Sequence, residues 1–139
     1  MDNFVIRKNT KPLSSSKIIN VYTDGACSNN GKPDARAGFG IWFGEDDIRN
    51  TSESFTGPQT NNRAELLAII KALTILRDDI EKGQKVMIFS DSSYSIRCCT
   101  TYGEKMCKKG WQNKGKDIPN RELVEVAYNF VKKYPNIDF

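Results

Sequence analysis

The length of 139 residues suits one domain, and 38% hydrophobic with 27% charged residues is typical of water-soluble globular proteins. The net charge of +4 favours an acidic partner such as a nucleic acid, and the absence of histidine excludes Ser-His-Asp and Cys-His nucleophiles and histidine-ligated zinc. Carboxylates remain for chemistry, and clustered carboxylates prefer hard cations such as Mg²⁺ or Mn²⁺.

The first sixteen residues are polar and show no apolar period, which predicts a flexible tail over residues 1–16. The sequence shows no signal peptide and no apolar stretch of membrane length. Its four cysteines have no Cys-x-x-Cys spacing, so we expect free thiols. These features predict an intracellular protein of a reducing compartment, the cytoplasm or nucleus, with residues 17–139 as a single domain.

The first predicted strand begins at Ile18 and ends in an acid, Asp24. Asp24 and Gly25 then open a turn-rich run that ends near Pro33. A lone Asp-Gly pair more often serves only to make a turn, so this acid gains interest only from acids in similar positions elsewhere.

Two further strands are predicted over residues 36–43 and 48–55, where apolar residues alternate with small or polar ones. The link between them is short and turn-like, which favours an antiparallel hairpin beside the first strand.

The strongest helix pattern covers residues 62–79, and Asn62 with Glu65 matches a capping box. On that reading Glu65 only satisfies the helix end. The apolar run at residues 86–90, expected to be buried on both faces, ends in Asp91, and a helix follows near Ser92. Two strand ends and a helix start can therefore direct three carboxylates to one point.

Residues 104–116 form a lysine-rich segment around Trp111. This composition fits a solvated loop with one anchoring tryptophan, and it also fits a surface that binds a phosphate backbone. A last helix capped by Asn120 and a strand at residues 137–139 complete the predicted elements.

Three short motifs carry a family resemblance. Residues 22–27 read Tyr-Thr-Asp-Gly-Ala-Cys, residues 60–65 read Thr-Asn-Asn-Arg-Ala-Glu, and residues 90–92 read Ser-Asp-Ser. In order and spacing they resemble the three successive motifs of type 1 ribonuclease H, and the similarity extends over residues 17–139.

The resemblance implies an α/β ribonuclease H-like fold with a five-stranded mixed sheet. In that fold the first three strands are antiparallel, the later strands run parallel to the first, and helices cover both faces. It further implies endonucleolytic hydrolysis of the RNA strand of an RNA–DNA hybrid by two Mg²⁺ ions, with Mn²⁺ as a substitute. A monomer without membrane contact or obligate protein partner is expected.

The resemblance also assigns site residues. Asp24, Glu65 and Asp91 correspond to catalytic metal ligands, with Asp24 bridging both ions. Pro58 stands where an arginine often completes the phosphate pocket, and Tyr102 stands near the place of a channel tryptophan, so the grip on the DNA strand is expected to differ. The expected substrate contacts are Cys27, Asn29, Asn30, Thr60, Asn61, Asn62, Ser93, Tyr102, Trp111, Lys114 and Asn120.

A larger departure from the family lies after Phe139, where the pattern would continue into a loop, a fourth acid and a final helix. Because Asp138 falls within the fifth strand, it does not replace that acid. We therefore expect a catalytic domain truncated at its C-terminal end, with the final helix missing and activity impaired.

Two alternatives from other classes remain open. A non-catalytic module that binds hybrids or other nucleic acids would keep the lysines and asparagines but would not need the carboxylates. A magnesium-dependent phosphatase or receiver domain would also place acids at strand ends, although it would require a parallel sheet.

Overall fold

A computed structural model describes residues 17–139 of this chain, and the predicted tail at residues 1–16 lies outside the described residues. Strands come first in the chain, and helices are inserted between the later strands. The elements in chain order are β1 (Ile18–Ser28), β2 (Arg36–Trp42), β3 (Thr51–Ser54), α1 (Asn61–Ile75), α2 (Arg77–Glu81), β4 (Lys85–Phe89), α3 (Ser93–Cys99), α4 (Thr101–Lys108), β5 (Gln112–Asn113), β6 (Lys116–Asp117), α5 (Arg121–Lys133) and β7 (Ile137–Asp138).

The main sheet has five strands in the order β3-β2-β1-β4-β7. β2 is antiparallel to both β1 and β3, whereas β4 is parallel to β1 and β7 is parallel to β4. This arrangement confirms the predicted mixed sheet. β5 and β6 form a separate two-stranded ribbon.

β1 is longer than predicted, because its pairing with β2 continues to Ser28. Asp24 therefore lies within the strand, opposite Gly40, and not at the start of a turn. β3 is shorter than predicted. The side chain of Asn50 accepts the N–H of Phe43 at 2.7 Å and donates to the carbonyl of Gly44 at 2.7 Å, which closes the hairpin before Thr51.

The predicted helix at residues 62–79 is two helices, α1 and α2, which meet at Leu76. α1 begins earlier than predicted, because Thr60 is its N-cap and accepts the N–H of Arg63 at 3.2 Å. The predicted capping box of Asn62 and Glu65 is therefore wrong, and Glu65 is free for another contact.

The core lies between the sheet and α1, where Val21 of β1 packs with Leu66, Ile69 and Leu73. Burial alternates along β1, so its two faces differ. β4 is likewise buried on one face only, because Met87 is half-buried and Phe89 is exposed, and the expectation of burial on both faces of this strand is wrong.

The other face carries a row of exposed aromatic rings across three strands. Tyr22 is in register with Trp42 on one side and with Phe89 on the other. The Tyr22 and Phe89 rings stack with centroids 4.6 Å apart. Since Asp24 shares this face of β1, the row adjoins the position of the first acid.

The lysine-rich segment is not a loop, since it consists of α4 and the β5–β6 ribbon. Trp111 lies between them, buried, with its ring edge against Tyr128 at a centroid distance of 5.8 Å. Its backbone N–H donates to the carbonyl of Met106 at 2.7 Å, and its backbone carbonyl accepts the N–H of Ile118 at 3.1 Å. The tryptophan thus anchors the ribbon to the core.

Candidate metal and nucleic-acid site

Three carboxylates converge near the C-terminal end of β4, an interior strand of the sheet. Tyr22 pairs with Phe89, so Asp24 and Asp91, each two residues further along, lie side by side. Glu65 reaches the same point from α1. One carboxylate oxygen from each of the three acids lies within 4.8 Å of the other two. The structure therefore brings together the three acids that the sequence singled out.

Glu65 is held in place by the backbone of β1. The residue is buried, and its Oε1 accepts the N–H of Gly25 at 2.8 Å. Gly25 makes this approach possible, because a Cβ at this position would overlap the backbone of Ala64 and Glu65. The close packing of α1 on β1 therefore delivers the Glu65 carboxylate to Asp24.

The turn after β4 positions Asp91. The N–H of Ser92 donates to the hydroxyl of Ser90 at 3.1 Å, which folds the backbone tightly around the acid. The Ser92 hydroxyl then accepts the N–H of Ser95 at 3.1 Å and caps α3. Asp91 is left exposed beside the sheet edge.

Burial and the two neighbouring carboxylates perturb the pKa of Glu65. Burial, followed by the charges of Asp91 and Asp24, raises the pKa of Glu65 from 4.5 to about 7, although the hydrogen bond from Gly25 opposes the shift. The raised pKa of Glu65 favours its protonated form near neutral pH unless a cation balances the charge.

The donor set fits a divalent cation. All three ligands are carboxylate oxygens, which Mg²⁺ and Mn²⁺ prefer, and two of the three acids are exposed, so water and a phosphate oxygen can complete the coordination. No second group of three possible ligands was found among residues 17–139.

A polar cavity lies beside the start of α1. Its wall brings together five predicted substrate residues from three separate segments of the chain. The side chain of Asn30 accepts the N–H of Asn61 at 3.1 Å, which ties the loop after β1 to the helix. The five residues are Asn30, Thr60, Asn61, Asn62 and Asn120.

Asn120 joins this cavity through a network that the sequence analysis missed. Its Oδ1 accepts a hydrogen bond from Arg63 at 3.1 Å, and its Nδ2 donates to the Tyr94 hydroxyl at 3.2 Å. Asn120 precedes α5 as predicted, but with φ of 58° its side chain makes no capping bond. Only the position of Arg63 inside the second motif could have pointed to it.

Cys27 and Asn29 follow the acid along β1 and its loop. The Cys27 thiol is half-buried and donates to the carbonyl of Gln59 at 3.5 Å, which connects β1 to the segment before α1. Asn29 is exposed and donates to Asp34 at 3.1 Å. Both residues come shortly before Asn30 in the chain, but neither lines the polar cavity.

The other predicted contacts lie elsewhere. Ser93 is exposed at the first turn of α3, Tyr102 is half-buried on α4, and Lys114 is exposed in the turn of the ribbon. Trp111, also predicted to contact the substrate, is buried, and its ring packs edge-on against Tyr128.

A basic surface extends over α4 and the ribbon. We define it by four exposed lysines, of which only Lys108 has a carboxylate partner, Glu104 at 3.3 Å, within the part of the chain that the structure describes. Its members are Lys105, Lys108, Lys109 and Lys114.

Comparison with known proteins gives a consistent result. The family model described as RNase H matches residues 16–138. The chain is 37% identical over 119 residues to Ribonuclease H1 of Mus musculus, a match that covers 85% of this chain and 41% of that protein. It is 43% identical to Ribonuclease H of Schizosaccharomyces pombe, covering 84% and 43%. The chain thus spans about two fifths of the length of these relatives.

A shorter relative, Ribonuclease H of Hahella chejuensis, is 37% identical over 112 residues, which cover 77% of this chain and 68% of that protein. Among solved structures, LC11-RNase H1 in complex with RNA/DNA hybrid is 25% identical with a TM-score of 0.55, covering 86% of this chain and 81% of that one. The solution structure of the PFV RNase H domain, 20% identical with a TM-score of 0.62 over 86% of this chain and 74% of that one, shares the fold.

No helix within residues 17–139 combines the length and the apolar character needed to cross a lipid bilayer.

Proposed function

Because this chain belongs to the RNase H family, we propose that it hydrolyses the RNA strand of RNA–DNA hybrids endonucleolytically, with residues 17–139 as the catalytic domain. The observation that carries this proposal is the convergence of Asp24, Glu65 and Asp91 within 4.8 Å. A binding module would have no need for three mutually repelling carboxylates at one point.

We assign the three acids to two Mg²⁺ ions, with Mn²⁺ as a substitute. When bound, such ions would activate a water for attack on phosphorus and stabilise charge on the leaving oxygen. Asp24 is exposed, its carboxylate lies within 4.8 Å of both other acids, and it is the ligand proposed to serve both ions, whereas Glu65 and Asp91 would serve one. The hydrogen bond from Gly25 keeps the buried Glu65 directed at this point.

The polar cavity and the basic surface are the proposed substrate contacts. Amide donors of Asn30, Asn61 and Asn62 suit the 2′-hydroxyls of an RNA strand, which distinguish a hybrid from duplex DNA. Thr60 and Asn120 are proposed to hold a phosphate of the DNA strand. The lysines of the basic surface, together with Ser93 and Tyr102, would follow the backbone.

The test is an assay with a labelled RNA–DNA hybrid, duplex RNA and duplex DNA, each with and without Mg²⁺. We expect cleavage of the hybrid RNA strand only, and only with the metal. The matched control is Asp24→Asn, which should abolish cleavage while hybrid affinity survives, because it removes one charge without changing the size of the side chain.

Hybrid binding without cleavage under any metal condition would favour the non-catalytic module. Near-normal turnover of Asp24→Asn at the same Mg²⁺ concentration would refute the role given to that acid. Metal-dependent release of phosphate from monoesters, together with no preference of the protein for hybrids, would support the phosphatase alternative.

A further inference from the structure

One arginine links the starts of the two long helices. Arg63, in the first turn of α1, donates from Nη1 to Asn120 Oδ1 at 3.1 Å and from Nη2 to Glu122 Oε2 at 3.0 Å. Its backbone N–H donates to the Thr60 hydroxyl at 3.2 Å. A single residue therefore contacts both side chains proposed to hold the DNA-strand phosphate.

The contact with Asn120 decides which end of its amide is available. A phosphate oxygen only accepts hydrogen bonds, so a side-chain amide can bind it only through its nitrogen. A guanidinium only donates, so Arg63 can pair only with the amide oxygen. The amide nitrogen must then point away from Arg63. It donates one of its two hydrogens to the Tyr94 hydroxyl at 3.2 Å, and the other hydrogen remains for a ligand.

The arrangement is poorly suited to stability alone. The Glu122 partner is largely exposed, with 66% of its side chain accessible, and such ion pairs contribute little to folding. The Arg63 Nε is buried and has no hydrogen-bond partner within residues 17–139, which lowers stability. Asn120 itself does not cap α5 with its side chain, so its amide is committed to Arg63 and Tyr94.

We propose that Arg63 is a positioning residue that fixes the Asn120 amide with its nitrogen towards the bound phosphate. It thereby joins the starts of α1 and α5 into one phosphate-binding site. This inference rests on the proposed function, and it assigns to Arg63 an effect exerted through Asn120, without a direct contact between the guanidinium and the substrate.

The experiment is a double-mutant cycle with Arg63→Lys and Asn120→Ala, measured as affinity for the hybrid. Asn120→Ala should weaken binding about tenfold, the loss expected for one hydrogen bond to a charged group. Arg63→Lys keeps the charge but loses the two-point fork, and it should weaken binding by a similar factor with an unchanged salt dependence. The double variant should bind no more weakly than Asn120→Ala alone.

A second readout locates the contact on the substrate. Hybrids with a single methylphosphonate linkage, placed in turn along the DNA strand, should show one position where the wild-type protein loses affinity. In both single variants, a methylphosphonate at that position should no longer change the affinity. A general loss of stability would not produce this position-specific result. Thermal unfolding midpoints verify that each variant is folded.

Asn120→Asp keeps a partner for Arg63 and removes both amide donors, so it covers the case in which Arg63→Lys does not fold. It should remain folded and lose the same methylphosphonate response. Additive losses in the double variant, or normal hybrid affinity of Asn120→Asp, would overturn the inference while leaving the proposed function intact. A wild-type protein with no preference for hybrids over either duplex would overturn the proposed function itself.

Discussion

Replacement of Glu65 by glutamine should make the metal-free protein more stable at pH 8 and leave its stability near pH 4.5 almost unchanged. The pKa of Glu65 is raised from 4.5 to about 7 in the folded protein, first by burial and then by the charges of Asp91 and Asp24. Between these two pH values the folded protein keeps a proton that the unfolded chain has released. The free energy of unfolding therefore falls as the pH rises through this window.

The size of the effect follows from the shift. At about 1.4 kcal/mol per pH unit, a pKa raised from 4.5 to about 7 sets an upper limit of about 3 kcal/mol. Asp24 and Asp91 are exposed, so water screens their charges, and we expect about 1 to 2 kcal/mol. Glutamine keeps an oxygen that can accept the Gly25 N–H and carries no charge, so it removes the titration while preserving the contact.

The assay is urea unfolding of the wild-type protein and Glu65→Gln in EDTA, at pH 4.5 and at pH 8. The stability difference between the two proteins should grow by about 1 to 2 kcal/mol from the lower to the higher pH, which corresponds to about 3 to 8 °C in thermal midpoint. Mg²⁺ at pH 8 should stabilise the wild-type protein more than the variant. A difference that does not change with pH would refute the raised pKa of Glu65.

Three further outcomes are expected. Alanine at all four lysines of the basic surface should weaken hybrid binding and lower the slope of log affinity against log salt by about 3 to 4, with an unchanged thermal midpoint, whereas an unchanged slope would mark them as solvated side chains. Gly25→Ala should lower the free energy of unfolding by about 3 kcal/mol, because the added Cβ meets the α1 backbone. Gly40→Ala should be tolerated, because the nearest neighbour of its added Cβ lies at 3.7 Å. Equal destabilisation by the two variants would contradict the close approach of α1 to Gly25. Burial raises the pKa of Cys98 to about 11 and of Cys99 to about 12, so Cys27 should react with a thiol reagent well before either of them in the native protein, and early labelling of the buried pair would contradict this order.

Much of the site could be predicted from local patterns. Asp24 and Asp91 each come shortly after apolar strand residues, and the parallel pairing of those strands brings both acids to the same end of the sheet. The antiparallel hairpin of β2 and β3 followed from its short link, whereas the mixed five-stranded sheet was implied by the family resemblance. Hairpins and strand ends depend on neighbours in sequence, which periodicity reveals.

Features that depend on single long-range contacts could not be predicted in this way. Glu65 fitted a capping box on local spacing, but its carboxylate bonds to Gly25, 40 residues away. The link from Arg63 to Asn120 spans 57 residues and leaves no periodic trace. Composition also could not show whether Trp111 is buried or exposed, because lysines surround it in either case.

The placement of the two tryptophans makes the protein its own fluorescence reporter. Trp111 is 7% exposed and Trp42 is 49% exposed, so their emission should differ in wavelength and in quenching by iodide. Trp111 reports on whether the ribbon stays docked on α5. Trp42 lies on the open face of the sheet and pairs with Tyr22, two residues before Asp24 in β1, so changes at the carboxylates should be detectable there without an added label.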